Sequence, residues 1–319
     1  MAAHMRAAVL AGPRRIELAE VERPRPGPGE VLVRLHGCGV CGSNLAPWQG
    51  RAWFTYPFAP GVPGHEGWGV VERLGAGVDG LVEGQRVALL SGAAFAQYDL
   101  AAADRVLPIP EALTGPFPGE ALGCAVNVFR RAAIGQGDTV AVVGAGFLGL
   151  MVLRLAALAG ARVLALSRRE TSLALARRLG ADEAIPTGDP GAAEARVRDL
   201  TGGRLCRVVV EAIGSQEALD LASRLVAEGG RLAIAGYHQD GPRTVDMQSW
   251  NWRGIDVVNA HERDPAVQRE GVLAAARLVA EGRLDPGPLY RSFPLDRLAD
   301  AFQAMEERPD GFVKALVTP

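Results

Sequence analysis

The stretch "DTVAVVGAGFLGL", residues 138–150, constrains the fold more than any other part of the chain. A short apolar run with the length of a buried strand ends in Gly144, Gly146 and Gly149 at G-x-G-x-x-G spacing, and an apolar helical segment follows at once. The same alternation continues on both sides. Helix "EALGCAVNVFRRAAI" precedes the run, and strand "ARVLALS", helix "ETSLALARRLGA", strand "RVVVEAI", helix "QEALDLASRLVA" and strands "GRLAIAG" and "GIDVVNA" follow, before helix "VQREGVLAAARLVAEGRL". Strands alternating with helices of this length predict an α/β domain with a parallel, doubly wound sheet.

In that context the glycines acquire separate tasks. Gly144 allows the tight turn, Gly146 lets backbone approach a pyrophosphate, and Gly149 permits close packing of the helix, whose N-terminus, with Phe147 and Leu148, faces the phosphates. Which dinucleotide binds is decided at the end of the next strand, where an acidic residue bonds the ribose 2′-hydroxyl of NAD. Here the strand ends in Ser167, Arg168 and Arg169, a hydroxyl and two guanidiniums suited to a 2′-phosphate. NADP(H) is therefore expected over NAD(H).

Before about residue 104 the texture is different. Short β-rich runs such as "RIELAEV", "EVLVRLHGCGV", "WGVVERLG" and "QRVALL" are separated by Pro and Gly clusters, which predicts a β-barrel-like domain. A chain of 319 residues suits two domains, and the tail "DRLADAFQAMEERPDGFVKALVTP" reads as a helix and a terminal strand returning to the first of them. The expected division is residues 5–116 with 286–319 against 117–285. The opening "MAAHM" reads as a cloning remnant ahead of a natural start at Met5.

A net charge of −2 without a basic stripe argues against nucleic acid and anionic membrane as partners and favours a small molecule. No apolar run approaches the ~20 residues of a membrane span, and a cytoplasmic location is expected. Four cysteines make no disulfide framework, so "GCGVCGSN", with Cys38 and Cys41 at C-x-x-C spacing, reads as a metal or catalytic turn. Downstream, "VPGHEGWGVV" places His65 beside Glu66. Thiolate, imidazole and carboxylate together are donors that zinc accepts in a catalytic site with one open position. A redox dithiol would need a thioredoxin-like β-α-β setting, and a zinc ribbon a second C-x-x-C; neither is present.

Taken together with the glycine loop, these motifs resemble the zinc-containing medium-chain dehydrogenases/reductases, the alcohol and polyol dehydrogenases. The resemblance runs through "GEALGCAVNVF", "VGAGFLG", "ARRLGAD", "VVVEAIGS" and "EGGRLAIAG" to "VKALV". It implies a GroES-like catalytic domain beside a Rossmann domain. It also implies zinc ligands Cys41 and His65, an adjacent Glu66, and a third ligand at Glu120, 24 residues before the first loop glycine, with Cys124 a poorer alternative. Cys38 then faces the core. The four-cysteine zinc lobe of many relatives is missing, since "GQRVALL" runs directly into "SGAAFAQYDL", so one zinc is expected. Asn44 stands where relatives have an aspartate orienting the ligand histidine, and Ala46 stands where the alcohol dehydrogenases have a relay histidine.

The implied activity is hydride transfer between NADP(H) and an alcohol or polyol or its ketone or aldehyde, with Ser43 passing the proton. A zinc-free reductase of C=C or C=N bonds is the enzymatic alternative, and a non-catalytic NADPH-binding protein a further one. Trp48, Phe54, Asn127 and His261 are substrate-pocket candidates, with Asn259 and Glu262 near His261. For Trp250 and Trp252 core or subunit packing is expected. Lys314, the sole lysine, matches a basic position that touches cofactor phosphate in relatives, which assemble as dimers or tetramers.

Overall fold

The structure, a computed structural model, describes residues 3–319. Its chain divides into two compact units, one of residues up to Gly123 together with Gln268–Pro319, the other Cys124–Val267. The first opens with a hairpin of β1 (His4–Gly12) and β2 (Arg15–Glu22), followed by β3 (Glu30–Gly39), α1 (Leu45–Gln49), β4 (Glu66–Leu74), β5 (Arg86–Leu89), β6 (Tyr98–Ala102) and β7 (Val106–Pro108). Helix α2 (Gly119–Ala132) leads into the second unit, which holds β8 (Thr139–Val143), α3 (Phe147–Leu158), β9 (Arg162–Ser167), α4 (Glu170–Arg178), β10 (Glu183–Pro186), α5 (Pro190–Leu200), β11 (Cys206–Glu211), α6 (Gln216–Leu225), β12 (Val226–Ile234), α7 (Met247–Arg253) and β13 (Asp256–Asn259). Helix α8 (Pro265–Ala280), β14 (Tyr290–Pro294), α9 (Leu298–Glu307) and β15 (Lys314–Thr318) end the chain.

In the second unit six parallel strands stand in the order β10-β9-β8-β11-β12-β13, with β8 and β11 adjacent at the centre. Chain order reverses there, so ligands are expected outside the carboxyl ends of those strands. Val140, Ala141, Val142 and Val143 are at most 2% exposed, as a strand covered on both faces requires. Strand β10 and helix α5 were not anticipated from the sequence, although Asp189 caps α5, accepting from the backbone N–H groups of Gly191 and Ala192, with Pro190 in the first turn.

In the first unit a seven-stranded sheet runs β14-β15-β3-β4-β5-β7, and β6 also pairs with β3. The terminal strand does return: Leu316 and Val317 of β15 pair with Gly39 and Cys38 of β3, whose other edge pairs with β4. Its core includes Val31, Val33, Phe95 and Phe302. The division departs from the expected one, because most of α8 goes with the first unit. Val272 of α8 packs so tightly on α2 that a Cβ at Gly123 would lie 2.7 Å from its methyl carbon.

Candidate functional site

The metal candidates are assembled on adjacent strands of one sheet. Cys41 follows the end of β3 in a short 3-10 turn, Gly42–Asn44, while His65 and Glu66 enter β4, the strand paired with β3. One donor atom each from Cys41, His65 and Glu66 lies within 4.8 Å of the others. Glu120, at the start of α2, falls outside this cluster, yet its charge reaches His65. Cys38 faces the core, 1% exposed.

Asn44 organises the turn in a way its position in the sequence did not foretell. Its Oδ1 accepts the Cys41 backbone N–H at 2.8 Å, and its Nδ2 donates to the Pro63 carbonyl at 3.0 Å. His65 Nδ1 lies 3.0 Å from the same carbonyl and 3.5 Å from Asn44 Nδ2. An amide NH₂ only donates, so the ring N–H is held by the Pro63 carbonyl rather than by Asn44, which leaves Nε2 as the ring's lone-pair donor toward a metal. Burial opposes a charged His65, but the hydrogen-bonded Cys41 and the charges of Glu120 and Glu66 outweigh it and push the ring's pKa up to about 10.

Glu66 is fully buried, and its partner is Lys314, 3% exposed, with Nζ 2.6 Å from the carboxylate. The side chain crosses over Gly39 to reach it. A Cβ there would sit 1.8 Å from Glu66 Oε2 and 3.1 Å from Lys314 Cε, so only glycine leaves the pair room. Burial disfavours the ammonium, but Glu66, Cys41 and Glu120 together hold the Lys314 pKa above the ordinary lysine value. Lys314 is thus an internal counter-ion, which corrects the expectation that it touches a cofactor phosphate. Glu66 Oε2 lies 2.6 Å from Lys314 Nζ, an ion pair without hydrogen-bond geometry. Thiolate, imidazole and carboxylate fit a zinc ion by donor chemistry.

The glycine loop joins β8 to α3 at the centre of the parallel sheet. Gly144 has φ +108°, a conformation side chains rarely adopt, and a Cβ at Gly149 would lie 1.9 Å from the Gly144 carbonyl oxygen. Gly146 is the N-cap of α3 with no side chain to satisfy the first N–H groups, which leaves the helix end open to an anion. At the end of β9 the Ser167 hydroxyl accepts the Arg169 backbone N–H at 3.2 Å, while Arg168 is exposed.

Comparison with known proteins matches residues 27–111 to the alcohol dehydrogenase GroES-like domain and residues 148–276 to the zinc-binding dehydrogenase family. An alcohol dehydrogenase of Rhizobium meliloti (strain 1021) is 34% identical over 69% of this chain and 73% of its own. One from Geobacillus stearothermophilus is 28% identical, covering 91% and 92%. The structure of a putative zinc-binding dehydrogenase from Sinorhizobium meliloti 1021, bound to NADP, superposes with a TM-score of 0.85 at 27% identity, covering 99% of this chain and 100% of that one. The chain belongs to the zinc-type medium-chain dehydrogenase/reductase superfamily.

It is therefore an oxidoreductase with a GroES-like domain and a Rossmann-type domain. Not every expected residue of this dehydrogenase lies where the family resemblance placed it. Trp48 is 4% exposed, stacks on Phe302 at 5.1 Å and donates from Nε1 to Glu306, so it is a core residue and leaves the pocket candidates. Phe54 is half-buried in a row of rings with Trp53 and Phe58. Asn127 is 3% exposed and donates to the Val267 carbonyl, its Oδ1 unpartnered. His261 is exposed, 3.2 Å from Arg263, while Glu262 pairs with Arg131. Trp250 is core, but Trp252 is 88% exposed. Ser43 is half-buried in the 3-10 turn. Sequence reasoning missed Gly39 and the Pro63 carbonyl, both of which act on the candidate metal residues through backbone geometry. No helix among the described residues is long and apolar enough to cross a membrane.

Proposed function

We propose that this dehydrogenase is zinc-dependent and moves hydride between NADP(H) and an alcohol or polyol or the corresponding ketone or aldehyde. The observation that carries the reading is the convergence of Cys41, His65 and Glu66 donor atoms within 4.8 Å, in a first unit that also carries a buried counter-ion for the carboxylate. Cys41 and His65 hold zinc with one carboxylate. Glu66 lies within the cluster but is tied to Lys314; Glu120 lies outside it and acts on His65 through its charge.

When bound, zinc supplies Lewis-acid polarisation of the substrate oxygen, and the nicotinamide carries the hydride. The chain does the rest. Pro63 fixes the His65 ring, Asn44 shapes the Cys41 turn, and Ser43 takes or returns the proton at the substrate oxygen. Gly144, Gly146 and Gly149, with the backbone of Phe147 and Leu148, hold the pyrophosphate, while Ser167, Arg168 and Arg169 bind the 2′-phosphate. NADP(H) is preferred because β9 ends in cations where an NAD site has a carboxylate. By analogy with relatives the enzyme works as a homodimer or homotetramer in the cytoplasm.

Zinc per chain after dialysis against dilute zinc, measured in wild type and in Cys41→Ala, tests the reading alongside NADP-dependent oxidation of alcohols and polyols. About one zinc, lost in the variant together with at least ~10³-fold of turnover while NADPH binding persists, is expected, since the metal's contribution is several kcal/mol. A fully active Cys41→Ala enzyme overturns it, and a zinc-free wild type that reduces enones or imines replaces it with the alternative chemistry. Glu66→Gln beside Glu120→Gln identifies the third ligand by which variant loses the metal.

A further inference from the structure

At the carboxyl ends of β11 and β12, beside the glycine loop, lies a side-chain network that the activity above does not use. Glu211, the last residue of β11, is fully buried. Its Oε1 accepts the backbone N–H groups of Ile213 and Gly214 at 2.7 and 2.8 Å, and its Oε2 lies 3.0 Å from His238 Nε2. The other ring nitrogen, Nδ1, lies 2.9 Å from Arg243 Nε. A guanidinium N–H can only donate, so Nδ1 accepts and Nε2 carries the ring proton toward Glu211. Arg243 also donates to the Gly214 carbonyl at 2.8 Å and contacts Asp240. The carboxylate thus holds the Ile213–Gly214 turn by its N–H groups and the guanidinium holds it by its carbonyl, with the imidazole joining the two.

That turn touches the glycine loop directly. A Cβ at Gly144 would lie 2.5 Å from the Ile213 side chain and 3.2 Å from the Ala212 carbonyl carbon, so the position of Ile213 sets the wall against which the loop turns. On the β12 side the fit is equally close: a Cβ at Gly236 would meet Gly214 N at 2.2 Å and Glu211 Oε2 at 2.5 Å. Ile213 and Tyr237 remain 49% and 61% exposed at these strand ends, where an open α/β sheet takes its ligand. The charge of Arg243 extends to Glu217, at the start of α6, whose carboxyl is held below its usual value by its own backbone N–H and the Ser215 hydroxyl, with Arg168 and Arg243 adding to the effect.

We propose that His238 is a positioning residue for the dinucleotide. As a neutral imidazole donating to Glu211 and accepting from Arg243, it locks the Ile213–Gly214 turn against the glycine loop, so that the cofactor crevice is formed before the cofactor arrives. The inference rests on the reading that this loop binds NADP(H). Binding to a preformed crevice avoids the cost of ordering the turn, so the device acts on cofactor affinity rather than on hydride transfer.

NADPH titration of the full-length zinc enzyme, followed by the nicotinamide fluorescence, tests it in wild type, His238→Leu, His238→Gln and Arg243→Lys. A glutamine can donate from its amide nitrogen and accept at its oxygen, as the imidazole does; leucine can do neither. His238→Leu should raise the Kd for NADPH about tenfold, the scale of one lost hydrogen bond to a charged group. The KM for NADPH should rise with it while kcat at saturation and zinc content hold, and His238→Gln should return to within about threefold of wild type. Arg243→Lys, which keeps the charge but cannot hold both the imidazole and the Gly214 carbonyl, should weaken binding similarly and decides the matter if the leucine variant does not fold. A lowered Tm in His238→Leu or Arg243→Lys with an unchanged Kd overturns the inference and leaves a purely structural role. A wild type that binds neither NADPH nor NADH removes the cofactor reading itself and this inference with it.

Discussion

The candidate metal cluster and the glycine loop are built by opposite means. Around Cys41 and His65 the work is done by side chains brought together from distant parts of the chain, Cys41 and His65 half-buried and Glu66 fully buried beside Lys314, its partner 248 residues away. At the glycine loop it is done by backbone, within the single run Gly144–Gly149, where three glycines carry no side chain and N–H groups and a helix end can approach an anion. A side-chain site can be tuned by charge but fails when one member loses its partner. A backbone site is insensitive to distant charges but tolerates no added atom.

The sharpest way to break that contrast is Lys314→Met. It strands a fully buried carboxylate beside the Cys41 turn, and removing one partner of a buried pair costs about 3–5 kcal/mol. Urea denaturation should show a loss of that size, and Glu66→Gln combined with Lys314→Met should recover most of it, because the stranded charge is gone. Equal instability of the double variant would mean that the pair matters through packing rather than charge. That the chain's only lysine occupies this place, amid arginines everywhere else, fits the space: a compact ammonium passes over Gly39 with its Cε 3.1 Å from where a Cβ would stand, and a planar guanidinium is wider.

The same contrast explains what was legible in the sequence. The glycine loop and its strand-helix setting were readable because all their determinants are contiguous, and the parallel sheet followed from the alternation around them. Cys41, His65 and Glu66 were readable only as a combination, through family resemblance. The role of Lys314 was not readable, since pairing across β15, β3 and β4 decides that it meets Glu66 and not a phosphate. Trp48 failed similarly: nothing local says that Phe302 and Glu306 of α9 will draw it into the core. Strand β10 was passed over because "EAIP" is short and carries no alternation, although the Asp189-Pro190 helix start beyond it could have located α5.

For the backbone site, Gly149→Ala adds one methyl group 1.9 Å from the Gly144 carbonyl, where no rotamer change relieves the clash. Helix α3 must shift, at the ~1–3 kcal/mol typical of overpacking. The NADPH Kd should rise by at least about tenfold while zinc per chain stays at the wild-type value. A variant that also loses zinc would show that the two sites are not independently built.

The smallest expected effect is at the end of β9, where the cofactor site departs from pure backbone recognition. Arg168 and Arg169 lead into α4 directly after Ser167, whose hydroxyl accepts the Arg169 N–H and keeps its own O–H to donate, so the charge that discriminates between the two nicotinamide cofactors comes from the guanidiniums. Arg168 is exposed, and an exposed cation meeting a phosphate in water contributes modestly. Arg168→Ala should therefore lower the NADP:NAD ratio of kcat/KM by about tenfold or less, with turnover on NAD unchanged and the effect shrinking at high salt. If Arg169→Ala alone carries the loss, the half-buried arginine reads the 2′-phosphate and Arg168 is a solvated helix start. If neither variant moves the ratio, cofactor choice is set by the shape of the β9 turn, and the side-chain logic of the metal cluster stops short of the Rossmann domain altogether.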